Sequence, residues 1–130
     1  MSTEREGGCH CGAVRFRVRM PQRPRLLRCN CSICRRSGYL HLIVPKADFT
    51  LLSGAESLTE YRFGSGSARH LFCRLCGIKS FYHPRSHPDG ISVHFACLDE
   101  ADAIAHDIVD FDGRNWETAR AALDEESPSS

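Results

Sequence analysis

"GGCHCGAVRFRVRM", residues 7–20, joins a pair of candidate metal ligands to a strand. From Val14 onward the run alternates strictly, with Val14, Phe16, Val18 and Met20 on one side and Arg15, Arg17 and Arg19 on the other. A period of two predicts a half-buried strand. The arginine side is read as a solvated face in preference to a phosphate-binding surface. Just upstream, Cys9 and Cys11 stand two residues apart. In extended chain both sulfurs then point the same way and can reach one ion.

Working outward, "PQRPR" (21–25) breaks the pattern as a loop, and "YLHLIVP" (39–45) reads as a more buried strand ended by Pro45. "FTLLSG" and "SLTEYRF" predict a hairpin turning at Ser53 and Gly54. "ARHLFCRLCG" and "KSFYHP" predict two short strands flanking a cysteine knuckle, and "ISVHFAC" (91–97) alternates Ile91, Val93 and Phe95 against Ser92 and His94. One helix is predicted near the C-terminus, capped by Asn115, with Glu117 in its first turn and an apolar stripe of Trp116, Ala119, Ala122 and Leu123. The expectation is one mainly β, mostly antiparallel domain over residues 1–124, with 125–130 as a disordered tail.

A chain of 130 residues is long enough to bury a core without covalent staples, and its formal net charge of +1 gives little attraction for nucleic acid or an anionic membrane. No apolar run is long enough to span a bilayer. The opening "MSTEREGG" has no secretory h-region, so the expected location is the cytoplasm. In a reducing compartment, clustered cysteines read as metal ligands or redox groups before disulfides.

The chain has eight cysteines. Cys73 and Cys76 form a C-x-x-C pair followed by Gly77, a zinc-knuckle pattern. Taken with Cys9 and Cys11, they supply four thiolates for a closed structural zinc. Cys29, Cys31 and Cys34 then supply three ligands to a second zinc and leave its fourth position open, as in catalytic sites. Two zinc ions per chain are expected. Soft sulfur ligands argue against Mg²⁺ and Ca²⁺, and no ferredoxin-like cysteine run argues for iron–sulfur. Cys97 reads first as a buried small hydrophobe; ligation by it would instead close a second four-thiolate site. His10 and His94 neighbour cysteines, but alternation points them away.

Three thiolates already donate much charge to a zinc ion, so hydroxide chemistry is not its natural use. A thiol suits the fourth position, because binding deprotonates it and keeps it positioned. The expected substrate is therefore a small thiol whose sulfur attacks, or leaves, an electrophilic carbon. Arg35 and Arg36 are candidates for pairing with the carboxylates of an acidic thiol, or for capping carbonyls after the knuckle. Tyr39 and His41 are candidate proton-transfer or wall residues.

"GGCHCGAVRF", "CNCSICRRSG", "FCRLCGIKSFY" and "CLDE", in this order, resemble the family of glutathione-dependent formaldehyde-activating enzymes and centromere protein V. "SFYHPRSHPDG" and "FDGRNWE" look closer to the centromere protein V branch. The resemblance implies a β-tent of small antiparallel sheets around zinc, with Cys9, Cys11, Cys73 and Cys76 on the structural ion. It also implies Cys29, Cys31 and Cys34 on a second ion open to glutathione. The implied activity is that of a carbon–sulfur lyase on S-(hydroxymethyl)glutathione. The alternative is a non-catalytic zinc-binding scaffold of the centromere protein V type with both sites closed, and a third reading is a redox switch built on the triplet.

Overall fold

The computed structural model describes residues 2–63, 68–85 and 87–112. In chain order the strands are β1 (Ser2–Gly8), β2 (Arg15–Pro21), β3 (Arg25–Cys29), β4 (Leu40–Pro45), β5 (Phe49–Ser53), β6 (Leu58–Tyr61), β7 (His70–Cys73), β8 (Phe81–Tyr82), β9 (Gly90–His94) and β10 (Asp107–Phe111). A short helix, α1 (Ser32–Ser37), lies between β3 and β4. The strands form a three-stranded sheet β1-β2-β5, a five-stranded sheet β10-β3-β4-β9-β8 and the pair β6-β7. The fold is therefore mainly β and built of small sheets, as expected. Among the described residues no helix is long and apolar enough to cross a membrane.

β2 behaves as its alternation requires: Phe16, Val18 and Met20 are buried and the arginines line the other side. That side is solvated and paired with acids. Arg17 meets Glu6 at 3.5 Å and Arg19 meets Glu4 at 3.6 Å, each directly across the β1–β2 ladder. This explains β1, whose "STEREGG" carries no apolar residue: its acids alternate in register with the β2 arginines. Phe16 stacks on Phe49 at 5.4 Å and Phe81 packs against both, so aromatic rings join the first sheet to the second.

Several elements depart from the sequence reading. β5 and β6 do not form a hairpin, because β5 pairs with β2 and β6 pairs with β7. Gly54, at φ 92°, packs against the Ala13 carbonyl, and a 3₁₀ turn over Ala55–Ser57 sends the chain to another sheet. Between the loop read over 21–25 and the triplet, a stretch given no element from the sequence forms β3, which pairs in parallel with β10. β9 stops at His94, and Phe95–Cys97 is a 3₁₀ turn. Ser92 is as buried as Val93, so alternation there separates two packed faces instead of core from solvent. The helix predicted from Asn115 and the tail 125–130 lie outside the described residues.

Gly54 gives a stability test. A Cβ there would sit 2.2 Å from the Ala13 oxygen in a left-handed conformation, whereas one on Gly38, also left-handed at φ 65°, meets nothing within 4 Å. Gly54→Ala should cost roughly 3 kcal/mol or more and Gly38→Ala about 1 kcal/mol, read by denaturant unfolding at fixed zinc. Equal losses would show that the close approach at Gly54 is not what redirects the chain.

Candidate metal centres and adjoining cleft

Local hydrogen bonding shapes each cysteine group. After β1 the chain turns so that Cys9 N–H donates to the Val14 carbonyl at 3.1 Å and Val14 N–H donates to Cys9 Sγ at 3.3 Å. After β7, Gly77 N–H donates to the Cys73 carbonyl at 2.7 Å and Cys73 N–H donates to the Ile78 carbonyl at 3.0 Å, closing the knuckle. Gly77 takes φ 81°, which the tight return needs. These two turns face each other, and the sulfurs of Cys9, Cys11, Cys73 and Cys76 all lie within 4.8 Å of one another. Cys9–Cys11 is 3.6 Å and Cys11–Cys73 is 3.7 Å. A tetrahedron with Zn–S bonds of about 2.3 Å has edges of about 3.8 Å, so the group fits a zinc ion.

The second group is Cys29, Cys31 and Cys34, again with all sulfurs within 4.8 Å. β3 ends on Cys29, the turn carries Cys31, and α1 presents Cys34 three residues later on the same side. Cys31 N–H reaches Cys29 Sγ at 3.5 Å. Three negative sulfurs this close repel unless a cation lies among them. Hydrogen bonds with Cys29 and Cys34 hold the Cys31 thiol far below its ordinary pKa, while bonds with Cys29 and Cys31 push Cys34 far up. All-sulfur donors fit zinc here too. Cys97 does not join the triplet; it is half-buried, and its charged neighbours are Cys9 and Cys76. His10 and His94 join neither group.

Behind the triplet lies a buried polar network that the alternation pattern did not reveal. His41, 4% exposed, places Nε2 at 3.1 Å from Cys34 Sγ. The tautomer that donates to this sulfur leaves Nδ1 to accept from Ser92 Oγ at 2.9 Å and from the Tyr82 hydroxyl at 3.3 Å. Burial, then the charge of Lys79, lowers the His41 pKa to about 3, so its ring is neutral. Tyr39 donates to the Ser92 carbonyl at 2.8 Å, and its ring packs on His41 and His94. Lys79 Nζ donates to His70 Nδ1 at 2.6 Å and sits 3.8 Å from the centre of the Tyr82 ring.

A cleft of about 620 Å³ opens beside this network, lined by Tyr39, Lys79, His94, Cys97, His10 and Arg15 among others. Its size suits a small organic ligand. Arg15 is engaged there by Asp99 in a two-pronged pair at 2.9 and 2.6 Å. Arg35 and Arg36 are exposed on α1 and do not line the cleft; Arg36 Nη1 donates to the Ser32 carbonyl at 3.1 Å. The structure thus brings His41 to the triplet and leaves both arginines on the outer face of the helix. Lys79 and Ser92 were not singled out from the sequence. The one available signal was Lys79's place just after the knuckle.

A family model described as glutathione-dependent formaldehyde-activating enzyme matches residues 4–113. A curated relative from Halomonas elongata, named "Putative glutathione-dependent formaldehyde-activating enzyme", is 42% identical over 80 residues, covering 55% of this chain. The chain spans about half the length of that relative, 50%. The crystal structure of a Rhodobacter sphaeroides protein matches with a TM-score of 0.70 at 36% identity, over 80% of this chain and 99% of that one.

The two cysteine groups should differ in what they support. Elemental analysis of reduced protein should find about two zinc ions per chain. Cys73→Ser should abolish folding, because zinc at such a site contributes on the order of 10 kcal/mol. Cys31→Ser should leave a folded chain with about one zinc. If both variants melted alike, the groups would not have separate roles.

Proposed function

The chain belongs to the glutathione-dependent formaldehyde-activating enzyme family, and on that premise we propose that it is a zinc-dependent carbon–sulfur lyase-like enzyme. Its substrate is an adduct of a small acidic thiol with an aldehyde. For glutathione and formaldehyde, the thiolate sulfur bonds to the carbonyl carbon and the resulting alkoxide takes a proton, giving S-(hydroxymethyl)glutathione; the reverse breaks the same bond. The observation that carries this reading is the convergence of the Cys29, Cys31 and Cys34 sulfurs without a fourth cysteine among them. Zinc held there would act as a Lewis acid, lowering the pKa of a thiol presented to the open side.

The chain's own residues supply the rest. His41 donates to Cys34 and is oriented by Ser92 and Tyr82, which fixes the direction of that ligand sulfur. Tyr39, with its hydroxyl committed to the Ser92 carbonyl, acts as a wall between this network and the cleft. Lys79 and His94, which line the adjoining cleft, would supply the alkoxide's proton. Arg35 and Arg36 add positive charge near the triplet on exposed side chains, where they attract an acidic thiol without gripping it. The scaffold alternative needs Cys97 beside the triplet, and the absence of Cys97 from either group of converging sulfurs supports the enzyme reading over it.

Thiol capture has a direct signature. Glutathione binding should release about one proton and tighten as pH rises towards the thiol's own pKa, measured by calorimetry in buffers of different ionisation enthalpy. S-methylglutathione keeps the carboxylates but cannot ionise at sulfur, and it should bind weakly with no proton release. Exchange NMR of glutathione with formaldehyde should show interconversion accelerated by the wild-type protein and not by Cys31→Ser. Equal binding of the thiol and the thioether would remove the reading.

Arg35→Ala with Arg36→Ala should weaken glutathione by only about two- to fivefold, as expected for exposed charges, and leave an uncharged thiol unaffected. Titration calorimetry of both ligands checks this.

A further inference from the structure

Lys79 is a partly buried cation that no carboxylate accompanies among the described residues. Burying an ammonium without an anion is unfavourable. What surrounds this one is aromatic: the Tyr82 ring at 3.8 Å, the Tyr39 ring at 4.8 Å, and His70, which accepts its hydrogen bond at 2.6 Å. Ring faces attract a cation but carry no net negative charge, so they hold the ammonium without neutralising it. His70 brings no charge of its own, since burial and Lys79 keep it neutral, with a pKa of about 4. Arg15, the other cation lining the cleft among those named, is neutralised by Asp99.

The negative charge that Lys79 does feel is that of the triplet. Lys79 sits on the ring of Tyr82, whose hydroxyl is 3.3 Å from His41 Nδ1, and His41 Nε2 is 3.1 Å from Cys34 Sγ. Burial draws the Lys79 pKa down to about 8, and the sulfurs of Cys34, Cys31 and Cys29 oppose that shift. Three thiolates about a divalent ion carry one net negative charge, and a fourth thiolate makes two in a poorly solvated place. A cation beside such a site favours the entry of another anion.

We infer that Lys79 is the counter-charge of the Cys29/Cys31/Cys34 site, the positioning residue whose ammonium, held by Tyr39, Tyr82 and His70, allows a fourth, negatively charged sulfur to enter. It acts on the thiolate itself, whatever else the thiol carries. The inference rests on the thiol capture proposed above, and the two fail separately.

The test compares zinc-loaded wild type with Lys79→Met, Lys79→Gln and Lys79→Arg. Glutathione, the uncharged 2-mercaptoethanol and S-methylglutathione are titrated across pH. Lys79→Met and Lys79→Gln should weaken both thiols alike, by roughly tenfold or more, and raise the pH of half-saturation by about one unit. The thioether should be unaffected, and Lys79→Arg should retain most of the wild-type behaviour. A purely structural role would lower the melting temperature without moving the pH of half-saturation. If Lys79→Met fails to fold, the comparison is read on Lys79→Gln and Lys79→Arg. Loss confined to glutathione would show that Lys79 takes a ligand carboxylate, and unchanged binding of both thiols would show that it takes no part; either result overturns the inference. If wild type itself bound no thiol, the proposed function would fall first.

Discussion

Two turns that are remote in sequence, one after β1 and one after β7, bring four sulfurs to within 4.8 Å of one another. Each turn sets only one cysteine, Cys9 or Cys73, fully into the hydrophobic core. Cys11 is exposed, and the knuckle carries exposed Leu75 and Ile78. Four sulfurs this close fit an ion at their centre, and such a tie would fix where the first sheet stands against the pair β6-β7. β6 is placed in turn, since Leu58 pairs with Cys73 itself. The aromatic contacts of Phe16, Phe49 and Phe81 then close the core on the other side.

How much of this was legible follows from which forces write themselves into short patterns. Cysteine spacing is local and chemical, so both groups could be divided correctly before any fold was known. Period-two burial is equally local, and it located β2, β4 and much of β9. β1 escaped because its order comes from acids opposite arginines, and a polar run looks like a tail until its partner strand is identified. β3 and β10 escaped because each is short, partly exposed and flanked by breaking residues. Their pairing is visible only once Arg28 is found beside Asp110. The false hairpin at Gly54 has the same origin: a glycine marks a turn, but whether the chain returns to its own strand depends on Ala13 lying against it.

The polar network behind the triplet was the least legible part. Ser92 and His41 sit at positions where alternation expects the solvent side of a strand, yet both are buried. They are tolerated because each polar atom has a partner, in a chain running from Cys34 through His41 to Ser92 and Tyr82. Such a set specifies a single ring orientation for His41, and thereby a single direction for one sulfur. Apolar residues of the same volume would fill the space but leave that sulfur free to turn.

The parallel pairing of β10 with β3 has a consequence for the time order in which the molecule is made. The four-sulfur group is complete in the nascent chain once Cys76 has emerged. The triplet is translated earlier, yet the strand that carries Cys29 obtains its outer neighbour only from residues 107–111, and Arg28 and Asp110 are 82 positions apart. Contacts of such separation form late. The four-sulfur group can therefore assemble early, while the outer edge of β3 stays unpaired until residues 107–111 have emerged.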